Sequence, residues 1–467
     1  MRKAPTKYTL TALLLWSCSC CLARDTTVVL DREAFMNILR SYHPVIRQAG
    51  LQVQYAAAGV QEARGAFDPR LEAGLDRKTF DGELYYSYFN PQLTIPTWYG
   101  IDIRAGAEEI VGNRLSREAT MGQTSYLGLQ VPANNLLFDS RRATLRQAQS
   151  MLQLSEAERS LAINDLVFDA LNAYWNWVQE YRLYAIITEA VRVNEARIGF
   201  VKTEYEQGTR PAIDTIEAMT QLQDFYLRQN RAWLSFQNAG LELTNYMWLE
   251  QNQPYEWSDN ILPPEAELVK QPELPTLESL LDESLNQHPK LQALEYKSDI
   301  LEIEQRLKAQ SLLPKLNLKA NLLSKGYGLP KDISIPMLEN NYKLGVDFSV
   351  PLFLRGARGA IQAAKIKVLD NTTEQERVRL QVQNKVKAYY NEVFLLQQQL
   401  ELYEQNLENN RRLFQGERIR FEAGESTLFL LNTRENKVLE INKALTELRA
   451  KWQKSYAGLF WAAGLLQ

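Results

Sequence analysis

The chain has 467 residues, 45% of them apolar and 23% charged, with a formal charge of −3. These values describe a folded protein and exclude a disordered polyelectrolyte. There is no basic block to bind nucleic acid, and no run approaches the roughly 18 apolar residues that a membrane-spanning helix needs.

At the N-terminus Arg2, Lys3 and Lys7 precede the apolar stretch Leu10 to Trp16 and then small residues, the layout of a secretory signal peptide over residues 1–23. Cleavage after Ala23 is the preferred reading, with Cys21 and Ala23 at the small-residue positions. Lipoprotein processing at Leu15-Trp16-Ser17-Cys18 is the alternative, against which the bulk of Trp16 stands. Both export the chain. Cys18, Cys20 and Cys21 are its only cysteines: cleavage after Ala23 leaves none and excludes a disulfide framework, whereas lipid processing would spend one on the anchor; loss of Arg2, Lys3 and Lys7 takes the charge to about −6.

The two histidines of the chain occur as His43-Pro44 and His288-Pro289, 245 residues apart, each followed 26 residues later by a proline, Pro69 and Pro314. The spacing marks an internal duplication. It divides the chain into a first repeat over 24–250, a proline-rich connector over 251–275 (Pro254, Pro263, Pro264, Pro272 and Pro275 lie in or beside it), and a second repeat over 276–467. Each His-Pro pair is expected to begin a helical turn. A structural role suits these histidines better than metal binding.

Apolar and polar residues alternate ahead of each proline-free stretch. Leu316, Leu318, Ala320 and Leu322 alternate with Lys315, Asn317, Lys319 and Asn321, and Leu344, Val346, Phe348 and Val350 with Lys343, Gly345, Asp347 and Ser349. These are two-faced strands, near 315–324 and 342–351. Their partners in the first repeat lie near 97–108 and 124–132. The offset is 245 at the His-Pro pairs but 219 where Val131-Pro132 meets Val350-Pro351, so the first repeat carries 26 extra residues. They fall near 70–96, and Asp81-Gly82 suggests an added hairpin. Its aromatics Tyr85, Tyr86, Tyr88 and Phe89 suit a bilayer interface or a small packed core equally well.

From Ser140 to Glu204 and from Arg358 to Arg420 there is no proline, and the two stretches align at an offset of 216 with no gap. Each reads as one helix, roughly 95–100 Å long at 1.5 Å per residue. Gly208 and Gly424 stop them, with tips near 205–212 and 421–428, and return helices run from Ala212 to about Leu249 and from Leu428 to about Leu466. Carboxylates are plentiful along these helices but form no metal, acid/base or cofactor constellation. Nor is there a nucleophile motif or phosphate loop, so no enzyme is suggested.

Two strands per repeat, on helices that long and behind an export signal, suit a membrane barrel better than a soluble core. Four strands cannot close, and an open edge is not viable in hydrocarbon. Three protomers would supply twelve. The combination of His-Pro, Leu313-Pro314-Lys315-Leu316, Val350-Pro351-Leu352-Phe353, Tyr205-Glu206-Gln207-Gly208 and Phe421-Glu422-Ala423-Gly424 resembles the TolC family of outer-membrane efflux proteins, over essentially the whole mature chain. The resemblance implies a mainly α fold with a small β part: duplicated helical hairpins forming a trimeric α-barrel, and four strands per protomer in a twelve-stranded transmembrane β-barrel.

It also implies an outer-membrane exit duct extending into the periplasm, serving a tripartite efflux or type I secretion system. Such a homotrimer docks on a periplasmic adaptor and, through it, an inner-membrane pump. The alternative is a periplasmic scaffold or adaptor without a pore, which does not need the strands. On the resemblance, the tips Gly208, Thr209, Arg210, Gly424, Glu425 and Ser426 contact the adaptor.

The family often rings the periplasmic entrance with acidic residues, but here the matching positions are Leu430 and Thr433. An entrance narrowed by Leu428 and Leu430 is expected instead. Asp214 and Glu217 keep the acidic pattern on the outer hairpin. A latch of the family, in which a tyrosine and an arginine of the inner tip reach an outer aspartate, keeps Asp214 but meets Phe421 and Ser426 at the other two positions. Other contacts must hold any closed state.

Overall fold

The computed structural model describes residues 28–113, 121–132, 138–264, 267–327 and 340–466. The signal segment and the three cysteines lie outside the described residues. Each repeat begins with a short helix, α1 (Arg32–Tyr42) or α5 (Leu277–Gln287), then a longer one, α2 (Pro44–Arg64) or α6 (Pro289–Gln310). His43 and His288 stand between them as N-caps: the Nδ1 of each accepts the backbone N–H two residues on, at 3.2 and 3.1 Å, and the following proline takes the first helical position. Proline suits that place because it has no N–H to leave unsatisfied.

The six long strands form one antiparallel sheet. The second repeat contributes β5 (Lys315–Lys325) and β6 (Tyr342–Ser349), and the first contributes β3 (Asp102–Val111) and β4 (Gly122–Pro132). The extra residues form β1 (Arg70–Phe80) and β2 (Glu83–Pro96), and the sheet order is β6-β5-β4-β3-β2-β1. The four strands common to both repeats are therefore contiguous, and the added hairpin prolongs them rather than packing a core of its own. β3 begins later than its alternation suggests, because Thr97 folds back onto the Ile101 carbonyl through both its N–H (3.0 Å) and its hydroxyl (2.6 Å).

Below the sheet the chain is helical. The long helices α3 (Ser140–Glu206, 67 residues) and α7 (Arg355–Glu422, 68 residues) each measure about 100 Å at 1.5 Å per residue. Return helices α4 (Ala212–Thr244) and α8 (Leu428–Ala463) complete the hairpins, and α8 ends at Gly464, whose φ of 75° lies in the left-handed region. The main core lies halfway along α3, where Tyr174, Trp177, Phe236 and Leu243 are buried together with Phe35 and Leu39 of α1. The connector passes over this belt: Ile261 and Leu262 pair in parallel with Val28 and Val29, and Trp257 lies edge-on to Trp177.

Among the described residues no helix is long and apolar enough to cross a membrane. The sheet offers another route. Its paired residues share faces from one edge to the other, so Leu71, Leu93, Ala105, Leu127 and Leu322 lie on one side, while Glu72, Gln92, Arg104, Gln130 and Lys319 lie on the opposite one. On the apolar side Leu71, Leu75, Leu344 and Val346 are exposed.

Candidate functional site at the helical tips

The two hairpins end together. Each long helix closes with the same motif: Thr209 N–H bonds to Glu204 O (3.0 Å) and Glu425 N–H to Arg420 O (2.9 Å), around Gly208 and Gly424 at φ 73° and 79°. A left-handed residue followed by such a six-to-one bond is the usual end of a helix, and glycine adopts it without a Cβ clash. Just above these turns Val201 (α3), Ala218 (α4), Phe421 (α7), Leu428 and Leu431 (α8) form a small core. All four helices contribute to it, so the tips behave as one body.

Leu428 is 1% exposed within this core, so its side chain does not line an opening; its spacing along α8 serves helix packing instead. Phe429, next to it, is 68% exposed. Leu430 is half-buried and Thr433 exposed, its hydroxyl turned back onto the Phe429 carbonyl at 2.8 Å.

Arg210 of the outer tip lies across the inner one. Its guanidinium sits 3.8 Å from the centre of the Phe421 ring, donates to the Phe421 carbonyl at 2.8 Å and lies 3.5 Å from Asp214. A cation over an aromatic face with a carbonyl at its edge is held by both quadrupole and hydrogen bond. Phe421 and Asp214 thus take part in a clasp, but the cation comes from Arg210, the position equivalent to Ser426 in the other repeat. Ser426 instead bonds to the buried Glu417. Thr209 and Glu425 remain exposed beside the two glycines.

One turn further up lies a polar cluster that sequence reasoning misses. Arg197 of α3 and Glu435 of α8 form a two-pronged ion pair, with contacts of 2.6 and 2.9 Å and side chains only 9% and 7% exposed. Asn194 donates to Glu435 (3.3 Å), and the Asn432 amide joins Arg197 (3.2 Å) to Glu217 (3.2 Å). Glu217 of the first hairpin is therefore anchored to the second, not a free charge. Buried charges need such company, since an unpaired one is costly. The only sequence signal is a break in the duplication, because Leu413 and Met219 occupy the equivalents of Arg197 and Glu435.

No group of three His, Cys, Asp or Glu side chains among the described residues could hold a metal ion. Chemically the tip can clasp, pack and present backbone, and nothing in it resembles a reaction centre. Together, a two-faced sheet and two helical hairpins built on helices of about 100 Å make up the protomer.

Residues 280–465, which lie within the second repeat, match the sequence model of the family described as outer membrane efflux protein. The fold as a whole is that of the TolC-type outer-membrane channels. The Campylobacter jejuni outer membrane channel CmeC is similar to this chain with a TM-score of 0.65 and 14% identity, over 93% of this chain and 85% of that one. The Vibrio cholerae outer membrane protein VceC is similar at 0.64 and 14%, over 92% and 95%. The open state of the Neisseria gonorrhoeae MtrE outer membrane channel is similar at 0.64 and 15%, over 93% and 89%. No curated protein sequence matches significantly.

Proposed function

We infer that three copies of this chain form a passive outer-membrane exit duct, with the sheet in the membrane and the hairpins enclosing a tunnel through the periplasm. The observation that carries this reading is the unpartnered apolar surface at both levels. The helix-proximal part of the sheet leaves one face apolar, and the helices leave stripes: Ile213, Ile216, Leu227 and Leu234 on α4, and Leu369, Leu380, Leu402 and Leu413 on α7, are at least half exposed. The α7 residues recur at multiples of 11, which keeps one side of a helix. Lipid suits the first surface and helices of neighbouring copies the second. A scaffold without a pore accounts for the stripes but leaves a two-faced sheet unexplained.

The tips, through Gly208, Thr209, Gly424 and Glu425, would dock on a periplasmic adaptor, and an inner-membrane pump would drive cargo into the tunnel. Arg210 and Ser426 act behind them as internal supports. The entrance is narrowed by apolar side chains, Phe429 and Leu430 foremost, with Thr433 a turn above. Purified protein in planar bilayers should give discrete single-channel steps that enlarge in Phe429→Ala and Leu430→Ala. Absence of any steps would refute the duct, and unchanged steps would refute the apolar entrance alone.

A further inference from the structure

We propose that the added hairpin β1–β2 is part of the membrane wall, and that the β1 edge of one protomer pairs with the β6 edge of the next. The trimer's wall would then hold eighteen strands: the twelve that the repeats share and six from the three hairpins. This rests on the channel reading above.

Four observations point there. First, β1 and β2 follow the same two-faced alternation as the other strands and keep it in register. Leu71, Leu93 and Ala105 line up on the apolar side, and Glu72, Gln92 and Gly106 on the polar one. An appendage lying outside the bilayer would have no need to continue that pattern, and a slip of one residue would invert it. Second, the lengths fit. β1 has 11 residues, about 36 Å at 3.3 Å each, which at a tilt of about 40° rises roughly 28 Å. An outer-membrane barrel needs an apolar band of about 25 Å with aromatics at both rims. Here Phe80, Tyr85 and Tyr86 stand at one end of the hairpin and Trp98 and Tyr99 at the other.

Third, the polar face ties the hairpin in. Gln92 donates to Glu72 at 2.9 Å, and Arg104 donates to Gln92 and, at 3.1 Å, to Gln130, a rung running from β1 to β4. At Asn90-Pro91 the backbone ladder to β3 is interrupted, and there Tyr126 of β4 leans over β3 to donate to Asn90 (3.3 Å) or Gln92 (3.2 Å). The ring passes over Gly106, where a Cβ would come within 2.6 Å of its oxygen. A site shaped to that degree belongs to a permanent wall. At the base, Phe67 stacks on Trp98 with ring centres 5.4 Å apart, and Arg141 of α3 lies over Phe67 while bonding Asp102 at 2.8 Å.

Fourth, the two free edges match. Strand sense alternates across the sheet, so β1 and β6 run in opposite directions, and β1 meets the neighbour's β6 as an antiparallel pair. Two added strands preserve that parity, as one or three would not. From its helix-proximal end the polar face of β1 reads Arg70, Glu72, Asp76 and Lys78, while that of β6 reads Asp347 and then Lys343. A register that sets Arg70 opposite Asp347 places Lys343 opposite Gly74, diagonal to both Glu72 and Asp76. An edge left open in hydrocarbon would strand a row of unpaired backbone groups.

Disulfide trapping in intact outer membranes separates the possible neighbours. Leu71→Cys, Ala73→Cys and Leu75→Cys, each combined with Leu344→Cys or Val346→Cys, should give cross-linked trimers on non-reducing gels. Ile103→Cys, Ala105→Cys and Ala107→Cys with the same β6 partners should not. Cross-links from β3 in place of β1 would overturn the proposal by showing a wall closed without the hairpin, and so would their absence from both sets in an intact trimer. Single substitutions give a second reading: a water-soluble maleimide should label Asp76→Cys from the lumen at least tenfold faster than Leu75→Cys in the lipid. Equal rates would overturn the proposal. A soluble monomer would bring down the channel reading itself, and with it this one.

Discussion

Glu435→Ala tests the buried Arg197–Glu435 pair above the tips most sharply. The substitution leaves Arg197 with a side chain 9% exposed and removes contacts of 2.6 and 2.9 Å. Breaking a buried pair from one side costs about 3–5 kcal/mol, because the remaining charge is uncompensated, whereas replacing both partners by apolar groups is often neutral. At 1.4 kcal/mol per factor of ten, backbone amides in the first half of α8 should exchange hydrogen about 100- to 4,000-fold faster by native-state exchange. The Arg197→Met/Glu435→Met double variant should recover most of that loss. Because the pair joins α3 of the outer hairpin to α8 of the inner one, the single variant should also raise single-channel conductance. A change in exchange below about threefold would refute the reasoning, as would a double variant no better than the single.

Three further outcomes are expected. Arg210→Ala removes the stack on Phe421 and the 2.8 Å bond to its carbonyl. It should cost the tip about 2–3 kcal/mol in the same exchange measurement, and Arg210→Lys should restore only part because it lacks the planar stack. Gly208→Ala and Gly424→Ala force a Cβ into the left-handed conformation and should each cost about 1–2 kcal/mol locally, leaving trimer assembly intact by native mass measurement.

His288 is 6% exposed, and its pKa is pushed down to about 4, chiefly by burial and then by Lys290 and Lys385, against Asp165. Between about pH 6.5 and 4 the unfolded chain takes up a proton that the folded one refuses, so stability falls as the pH drops through that window. The difference reaches about 3 kcal/mol at the acid end. His288→Asn keeps a capping acceptor without titrating, so its thermal melting temperature should vary less with pH than that of the parent protein.

Much of the fold was legible because duplication supplies an internal control. The unbroken offset of 216 along the long helices exists because one extra residue would rotate everything beyond it by about 100°. The jump to 245 exposes the added hairpin, and strict alternation gives the strand faces. What alternation cannot give is pairing order: that β4 bonds to β5 across the two repeats, and β2 to β3, depends on tertiary register.

The tip site was legible only in part. Gly208 and Gly424 declare themselves as helix ends, but Leu428 and Leu430 are two residues apart on one helix, and only packing separates the buried one from the half-buried one. The Arg197–Glu435 pair spans 238 residues with no periodic signature. Its trace is the failure of the two repeats to match at those positions.

We infer above that three copies of this chain form a membrane-embedded channel. Native mass measurement of the protein extracted with detergent from the outer-membrane fraction tests it most directly. The expected result is a stable particle of three copies, absent from the soluble periplasmic fraction. A monomer found in that soluble fraction would contradict it.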